Sequence, residues 1–164
     1  MIRAYLDSCI LISFFSNSKK EKANKETAES LVNKLSEFSA IETCISPLVI
    51  AETVNILLNS HNMSNQEVWE IESRLINRKR LGKLKIKVLN PENESQKDYD
   101  LEDFFDDLRE TTLKYHPGFA DAMHIVIMKN NGVEYIITFN PKDFEEVEGL
   151  TVVPLKDFLS AKGT

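Results

Sequence analysis

Short apolar segments alternate along this chain with longer segments whose apolar residues recur at helical spacing. The apolar segments have the length of strands, and the segments between them are long enough to connect parallel strands. This alternation favours a mainly parallel sheet with helices on both faces, which is a three-layer α/β/α sandwich. The predicted strands are residues 2–6, 41–45, 84–89, 135–139 and 151–153, and the predicted helices are residues 9–15, 20–38, 47–59, 64–80, 98–114 and 119–131, with a short helix at the C-terminus.

Two of the helix starts carry their own signals. Ser46 is followed by proline, a favoured N-cap and first-turn pair, and Ser64 with Glu67 three residues later forms a capping box. The helix that begins at Ser64 is predicted to continue to about Arg80 and to stop at Gly82. In a parallel sheet of this kind, sites gather at the carboxyl ends of the strands. Polar residues at those ends are therefore the first candidates for function.

The composition is that of one compact domain. The chain has 164 residues, of which 42% are hydrophobic, so we expect residues 1–164 to form a single domain with one core. Cys9 and Cys44 have neither the spacing of a zinc site nor that of a disulfide framework. The N-terminus lacks a signal-peptide pattern, and no apolar run approaches the roughly 20 residues of a membrane helix. We therefore expect a cytoplasmic protein without a membrane partner.

Charge is unevenly distributed along the chain. The formal net charge of -6 argues against a generally basic nucleic-acid coat. Residues 74–87 nevertheless carry basic side chains with no acid among them, and solvated helix faces and loop ends are the simplest explanation for such a run. If the protein binds RNA, the candidates for contacts with the phosphate backbone in this stretch are Arg74, Arg78, Lys79 and Arg80.

Three acids and one amide stand where an apolar core would not place them. Asp7 ends the first strand, Glu52 lies in a largely apolar helix, Asp121 begins another such helix, and Asn140 ends the strand 135–139. Taken singly, Asp7 could be an N-cap, Glu52 half of a structural ion pair, Asp121 a charge in a first helical turn and Asn140 a turn residue. Together they could converge on one edge of the sheet. Clustered carboxylates are stabilised by a hard cation, Mg²⁺ or Mn²⁺, which makes phosphoryl transfer the leading chemistry.

With these residues and the motifs around them, the sequence resembles PIN-domain proteins, and it is most similar to the VapC-type toxin ribonucleases. The resemblance covers nearly the whole chain. Its motifs are AYLDSCIL at 4–11, SPLVIAETVNIL at 46–57, GFADAMHIVIM at 118–128 and EYIITFNPKDF at 134–144.

The resemblance implies a fold, a site and an activity. Family members have an α/β/α sandwich and an acidic quartet that binds divalent metal for RNA cleavage. Mapped by motif, the acids are Asp7, Glu52 and Asp121, with Ser8 at the family's small hydroxyl position. The fourth acid is replaced here by Asn140. Three carboxylates and an amide should hold a second metal less tightly than four carboxylates would.

Two further residues near these motifs are auxiliary candidates. His124 lies one helical turn after Asp121 and could contact a carboxylate or a phosphate, although a structural histidine fits the sequence about as well. Asp143 follows Asn140 by three residues and could reach the site directly or through water. Its alternative role is an N-terminal charge for a short helix around Phe144.

The leading hypothesis is therefore a Mg²⁺- or Mn²⁺-dependent endoribonuclease, with a cognate antitoxin protein and a homodimer as the partners that the family implies. One rival is a non-catalytic or weakly catalytic PIN-fold module that binds RNA or protein. A second rival is a haloacid-dehalogenase-like phosphatase, whose nucleophilic Asp also follows the first strand. That group needs another Asp two residues later, where this chain has Cys9.

Overall fold

The computed structural model of the chain describes residues 1–92 and 98–161. These residues form seven strands and seven α-helices, numbered in chain order. The strands are β1 (Ile2–Leu6), β2 (Ile41–Ile45), β3 (Arg80–Leu81), β4 (Leu84–Lys85), β5 (Lys87–Val88), β6 (Tyr135–Ile137) and β7 (Thr151–Val152). The helices are α1 (Ser8–Phe15), α2 (Lys22–Glu37), α3 (Pro47–Asn59), α4 (Asn65–Ile76), α5 (Leu101–Tyr115), α6 (Phe119–Asn130) and α7 (Leu155–Ser160).

Five of the strands form one parallel sheet in the order β5-β2-β1-β6-β7. The chain moves outward from β1 to β2 and β5, and then returns to the other side of β1 with β6 and β7. Helices cover the sheet, so the predicted three-layer α/β/α sandwich is confirmed. The reversal of direction beside β1 creates a switch point, and in such sheets the carboxyl ends of the strands there form a crevice.

The second half of β1 is apolar because it is buried in the core. Tyr5 and Leu6 have no exposed surface, and Ile45 of β2 and Ile136 of β6, the strands on either side, are also fully buried. A strand with neighbours and helices on all sides reads as a continuous apolar run, as the sequence of β1 does. The expected domain of residues 1–164 includes positions 93–97 and 162–164, which lie outside the described residues.

The segment after α4 differs from the prediction. The helix begins at its Ser64 capping box as expected, but it ends at Ile76 rather than near Arg80. Arg80 instead belongs to β3, which pairs with β4 in a small antiparallel sheet. Gly82, with φ at +59°, lies in the two-residue turn of this hairpin and does not end a helix.

The predicted strand 84–89 was also wrong in its extent, because it is divided between two sheets. Leu84 and Lys85 pair antiparallel with β3, whereas Lys87 and Val88 pair parallel with β2. Ile86 separates the two and is buried. The alternating residues predict a single strand here, because alternation records burial and not the identity of the pairing partner.

Candidate metal centre

Three strands deliver polar residues to the same edge of the main sheet. Asp7 follows β1, Ser46 follows β2 and Thr138 follows β6. The register pairs Leu6 with Ile137, and the backbone N–H of Asp7 donates to the carbonyl oxygen of Ile137 at 3.1 Å, so these strands end level with one another. The parallel pairing therefore places residues from distant parts of the chain side by side.

Asp7 is buried and its carboxylate is held in place by several donors. The hydroxyl of Thr138 donates to Oδ2 at 2.6 Å and the thiol of Cys9 donates to the same atom at 3.1 Å. The hydroxyl of Ser8 donates to Oδ1 at 3.3 Å. Thr138 is itself fixed, because its oxygen accepts the backbone N–H of Asn140 at 2.9 Å. Only 7% of Asp7 is exposed, so these donors replace water around its oxygens.

Cys9 behaves as a neutral donor in this arrangement. Burial and the neighbouring Asp7 carboxylate raise the pKa of its thiol to about 12. The backbone N–H of Phe139 donates to its sulfur at 3.3 Å. Its thiol therefore retains its hydrogen at neutral pH and donates it to Asp7.

Glu52 extends from α3 towards the same place. The hydroxyl of Ser46 caps this helix by accepting the backbone N–H of Val49 at 3.3 Å, as the Ser-Pro pair predicted. Oε2 of Glu52 lies 2.9 Å from Nε2 of His124. Partial burial opposes ionisation of Glu52, but its hydrogen bonds with His124 and Ser8 outweigh that effect and lower its pKa. Glu52 is therefore an anion at neutral pH.

His124 connects Glu52 to the interior of the protein. The residue is only 2% exposed, and while Nε2 contacts Glu52, Nδ1 lies 2.8 Å from the hydroxyl oxygen of Tyr5. That hydroxyl also lies 2.6 Å from the hydroxyl of Ser46. The sequence left two roles open for His124, contact with a carboxylate and a structural role. The ring combines them, because Nε2 contacts the Glu52 carboxylate and Nδ1 contacts Tyr5 in the core.

Asp7, Glu52 and His124 form a compact group of potential metal ligands. One ligand atom from each residue can be chosen so that all three lie within 4.8 Å of one another. A single divalent cation can contact atoms at that separation. Two of the three acids selected from the sequence are therefore in mutual reach.

Asp121 is not one of these three residues, but its carboxyl group interacts electrostatically with theirs. Burial raises the pKa of Asp121, and the carboxylates of Asp143, Asp7 and Glu52 raise it further, whereas His124 acts in the opposite direction. Three carboxylates thus repel a fourth that lies in the first turn of α6. A bound cation would relieve that repulsion.

The residue preceding α6 leaves space for this carboxylate. A Cβ atom at Gly118 would lie 2.9 Å from Oδ2 of Asp121, which is closer than van der Waals contact. Gly118 is the N-cap of α6 and has an ordinary φ of -58°. The glycine therefore leaves space for the Asp121 carboxylate in its present position, and its backbone conformation is one that any residue can adopt.

Asn140 and Asp143 lie on the rim of this group. Asn140 is exposed, and its backbone reaches the site through the N–H that it donates to Thr138. Asp143 is also exposed, yet among the neighbouring carboxylates it has the largest effect on the pKa of Asp121. It ends a short 3₁₀ turn, Pro141–Asp143, just before the buried Phe144.

The four basic candidates lie in and after α4. Arg74 forms an ion pair with Glu70 one turn earlier on that helix. Arg78 and Lys79 are exposed between α4 and β3, and the exposed Arg80 begins the hairpin. The basic run is therefore a solvated surface that includes one edge of the hairpin, instead of one helix face.

Sequence reasoning gave no role in the site to Tyr5, Cys9 or Thr138. Thr138 was noticeable as a polar residue at the end of a buried strand, which is where Asp7 also stands. Tyr5 offered only the general signal that a buried hydroxyl needs a partner. Neither signal identifies the partner, because Thr138 is 131 positions from Asp7 and Tyr5 is 119 positions from His124.

The chain is similar to known proteins in fold and belongs to a known family. The structure is similar to that of DNA-bound VapBC from Salmonella typhimurium, with a TM-score of 0.62 and 17% identity over 93% of this chain and 98% of that chain. It is also similar to VapBC-1 from nontypeable Haemophilus influenzae, with a TM-score of 0.60 and 16% identity over 94% of this chain and 99% of that chain.

A third similar structure is VapC20 from Mycobacterium tuberculosis, described as a toxin that cleaves the sarcin-ricin loop. Its TM-score is 0.54 and its identity 13%, over 81% of this chain and 86% of that chain. No curated protein matches the chain by sequence. The family model of the PIN domain matches residues 4–150, and the chain therefore belongs to the PIN domain family.

Proposed function

We propose that this chain is a divalent-metal-dependent endoribonuclease, and that it is the toxin of a toxin–antitoxin pair. The observation that carries the proposal is the meeting of Asp7 and Glu52 at the carboxyl edge of a PIN-domain sheet, with a metal-ligand separation of at most 4.8 Å in the group that includes His124. VapC and VapBC structures among the similar folds support the choice of activity.

The donor set fits a hard cation. Carboxylate oxygens of Asp7, Glu52 and Asp121 would hold Mg²⁺ or Mn²⁺, which prefer oxygen ligands and retain water for the remaining positions. Burial and the neighbouring carboxylates raise the pKa of Asp121, and a bound cation would offset the repulsion between the acids. Asn140 and Asp143 would be auxiliary, directly or through water, and Asn140 would make any second cation site weak.

The chemistry assigns separate tasks to these residues. A divalent cation held there would supply a water of lowered pKa and would neutralise charge on the scissile phosphate. Thr138, Ser8 and Cys9 fix the orientation of Asp7, and His124 fixes that of Glu52. The products expected for the family are a 5′-phosphate and a 3′-hydroxyl.

We further propose that the exposed basic residues hold the flanking RNA backbone. Arg78, Lys79 and Arg80 are exposed within a short segment, and Arg74 precedes them on α4. Basic side chains that contact phosphates release counterions, so RNA affinity would fall as salt rises.

The remaining proposals concern partners and location. A cognate antitoxin would cover the carboxylates and insert an Arg or Lys among them, because a cation there offsets their mutual repulsion. A homodimer in the cytoplasm completes this proposal. Among the described residues, no helix combines the length and apolar character that crossing a bilayer requires.

The test is cleavage of a mixed RNA substrate by purified protein with Mg²⁺, with Mn²⁺ or with EDTA. Asp7→Asn and Asp121→Asn are compared with wild type, and Asp106→Asn is the matched control, since Asp106 is exposed and pairs with Arg109. We expect cleavage by wild type and Asp106→Asn in either metal, and at least about a hundredfold loss in the two site variants.

The same experiment decides the rival function. If neither metal supports cleavage, or if cleavage survives both site substitutions, the chain is a binding module on a PIN fold. In that case RNA or a protein partner should still bind without being cut. The assignment of nuclease activity would then be wrong, although the chain would still belong to the PIN domain family.

A further inference from the structure

We propose that the Tyr5 hydroxyl fixes His124 with its hydrogen on Nε2, so that this nitrogen positions Glu52 and is withheld from the metal. The inference rests on the proposed metal-dependent function and adds a determinant of which cation the site accepts. Its basis is a chain of three hydrogen-bonding contacts that runs from Glu52 into the core, and the order of donors along it can be worked out.

The order begins at the carboxylate. A Glu52 carboxylate that holds a cation carries no hydrogen, so its oxygen can only accept a hydrogen bond, and Nε2 of His124 at 2.9 Å must be the donor. In a neutral imidazole the other nitrogen, Nδ1, then carries a lone pair and accepts. Glu52 thus accounts for a hydrogen on Nε2, whereas Tyr5 decides whether Nδ1 is held as an acceptor.

The interior side of the ring agrees with this assignment. Nδ1 lies 2.8 Å from the hydroxyl of Tyr5, which can donate to it. Tyr5 can in turn accept from the hydroxyl of Ser46 at 2.6 Å, and Ser46 accepts the backbone N–H of Val49. Every hydrogen has one acceptor in this sequence, and Tyr5, Ser46 and His124 are each at most 2% exposed.

The consequence concerns metal selection. By distance alone, His124 completes a group of two carboxylates and one imidazole, a set that suits zinc and other imidazole-binding metals. A nitrogen that carries hydrogen cannot coordinate a metal. With Nε2 so occupied and Nδ1 turned to Tyr5, the site presents oxygen ligands only, which is the preference of Mg²⁺ and Mn²⁺. Tyr5 is therefore a positioning residue that determines specificity.

The tautomer can be measured directly on the protein without RNA. Long-range ¹H–¹⁵N correlation spectra of the metal-free protein distinguish a protonated from an unprotonated ring nitrogen. We expect wild-type His124 to carry hydrogen on Nε2 and to show an unprotonated Nδ1. A spectrum with hydrogen on Nδ1 of the wild type would overturn the proposal whatever the variants do.

Tyr5→Phe removes the hydroxyl and keeps the ring. Without its donor, Nδ1 is no longer held as an acceptor. A cation that competes with Glu52 for Nε2 can then shift the hydrogen to Nδ1, and Nε2 becomes a metal ligand. We expect the Nδ1–H form to appear in the spectra, and the ratio of Zn²⁺ affinity to Mn²⁺ affinity, from calorimetric titration, to rise about tenfold or more. An unchanged tautomer with an unchanged affinity ratio would overturn the proposal.

Two further variants separate this effect from a general loss of structure. Tyr99→Phe is the matched control, because the Tyr99 hydroxyl also makes two hydrogen bonds, with Asp107 and Asn130. It should leave the affinity ratio unchanged. In Tyr5→Phe combined with His124→Gln, an amide replaces the imidazole, so the gain in Zn²⁺ preference should disappear. If the gain persists, the imidazole is not its source and the proposal is wrong.

The test of Tyr5 can fail or succeed independently of the test of the proposed nuclease. If wild type binds no divalent cation while His124 shows hydrogen on Nε2 that moves in Tyr5→Phe, the metal-dependent enzyme fails and the role of Tyr5 in fixing the tautomer stands. If the cations bind and the tautomer is the opposite one, the enzyme proposal stands and the role of Tyr5 fails.

Discussion

Thr138 donates its hydroxyl hydrogen to Oδ2 of Asp7 over 2.6 Å, although the two residues are 131 positions apart in the chain. Each residue directly follows its own strand, and the parallel pairing of β1 with β6 places them together. Thr138 is 2% exposed and Asp7 is 7% exposed. The orientation of Asp7 thus depends on Thr138, which follows β6 and comes from a distant part of the chain.

Thr138→Val tests this dependence, because valine keeps the shape and removes the donor. We expect about a tenfold loss of Mn²⁺ affinity, and a loss of about 1–3 kcal/mol in the free energy of unfolding, since a buried carboxylate oxygen loses a partner. Calorimetric titration and urea unfolding measure the two effects.

The control for that substitution is Thr43→Val in β2. Thr43 is also buried, but its hydroxyl has no hydrogen-bond partner among residues 1–92 and 98–161. Its replacement should leave metal affinity unchanged and should not destabilise the protein. Equal metal affinity in Thr138→Val and Thr43→Val would show that Thr138 does not position Asp7.

Asp121→Asn should stabilise the metal-free protein while it abolishes cleavage. The folded state raises the pKa of Asp121 above its ordinary value of 3.8, so the charged form destabilises the fold at pH values above the raised pKa. This penalty disappears as the pH falls through the raised pKa and below 3.8, because both states are then protonated. The advantage of the variant should therefore be largest at neutral pH.

Urea unfolding at a series of pH values in EDTA measures this advantage. Asp106→Asn is the control, since Asp106 is exposed and paired with Arg109, and it should show no gain at neutral pH. An advantage of Asp121→Asn that grows towards acid pH would contradict the assigned direction of the shift.

Gly118→Ala should displace the carboxylate of Asp121. The added Cβ would lie 2.9 Å from Oδ2, and the acid is the group that can move. We expect weaker Mn²⁺ binding and at least about a tenfold lower cleavage rate, with the fold retained. Metal titration and RNA cleavage are the measurements.

Gly132→Ala is the matched control for Gly118→Ala. Gly132 has φ at +60° and no described atom lies within 4 Å of the added carbon, so alanine there strains the backbone without touching the site. It should lower stability and leave metal affinity unchanged. If both variants lose metal affinity equally, the effect of Gly118→Ala comes from instability.

Asn140→Asp should strengthen metal binding if this position faces the second cation. The substitution adds a carboxylate beside Thr138, so we expect cleavage to reach half of its maximum at a lower Mn²⁺ concentration. The control is Asn33→Asp on the exposed surface of α2, which adds the same charge elsewhere. An identical metal dependence in both variants would exclude Asn140 from the site.

Charge reversal of Arg78, Lys79 and Arg80 to glutamate should weaken RNA binding. Three lost phosphate contacts would reduce the slope of log affinity against log salt by about 2 for a single strand. Binding is measured to RNA in EDTA, so that cleavage does not interfere. The same reversal at Lys19, Lys20 and Lys22 is the control, and an unchanged slope in the first variant would remove this segment from the RNA surface.

Much of the fold and part of the candidate site could be predicted from the sequence. Periodicity identified the strands and helices of the parallel sheet, because a segment's burial is recorded in its own residues. It also marked Asp7, Glu52 and Asp121 as polar residues in apolar surroundings. The prediction from periodicity was wrong between Arg80 and Lys87. The residues there first form the β3–β4 hairpin and then, in β5, pair with β2 of the main sheet.

What the sequence by itself determined was local: where segments are buried, how α3 and α4 are capped, and which polar residues end the strands. Only the tertiary structure decided that Thr138 holds Asp7, that His124 holds Glu52, and that Tyr5 lies behind the ring. These contacts depend on strand order and register, which are settled by packing between distant segments. Local pattern carries no record of the partner, because burial of a residue is the same whichever segment covers it.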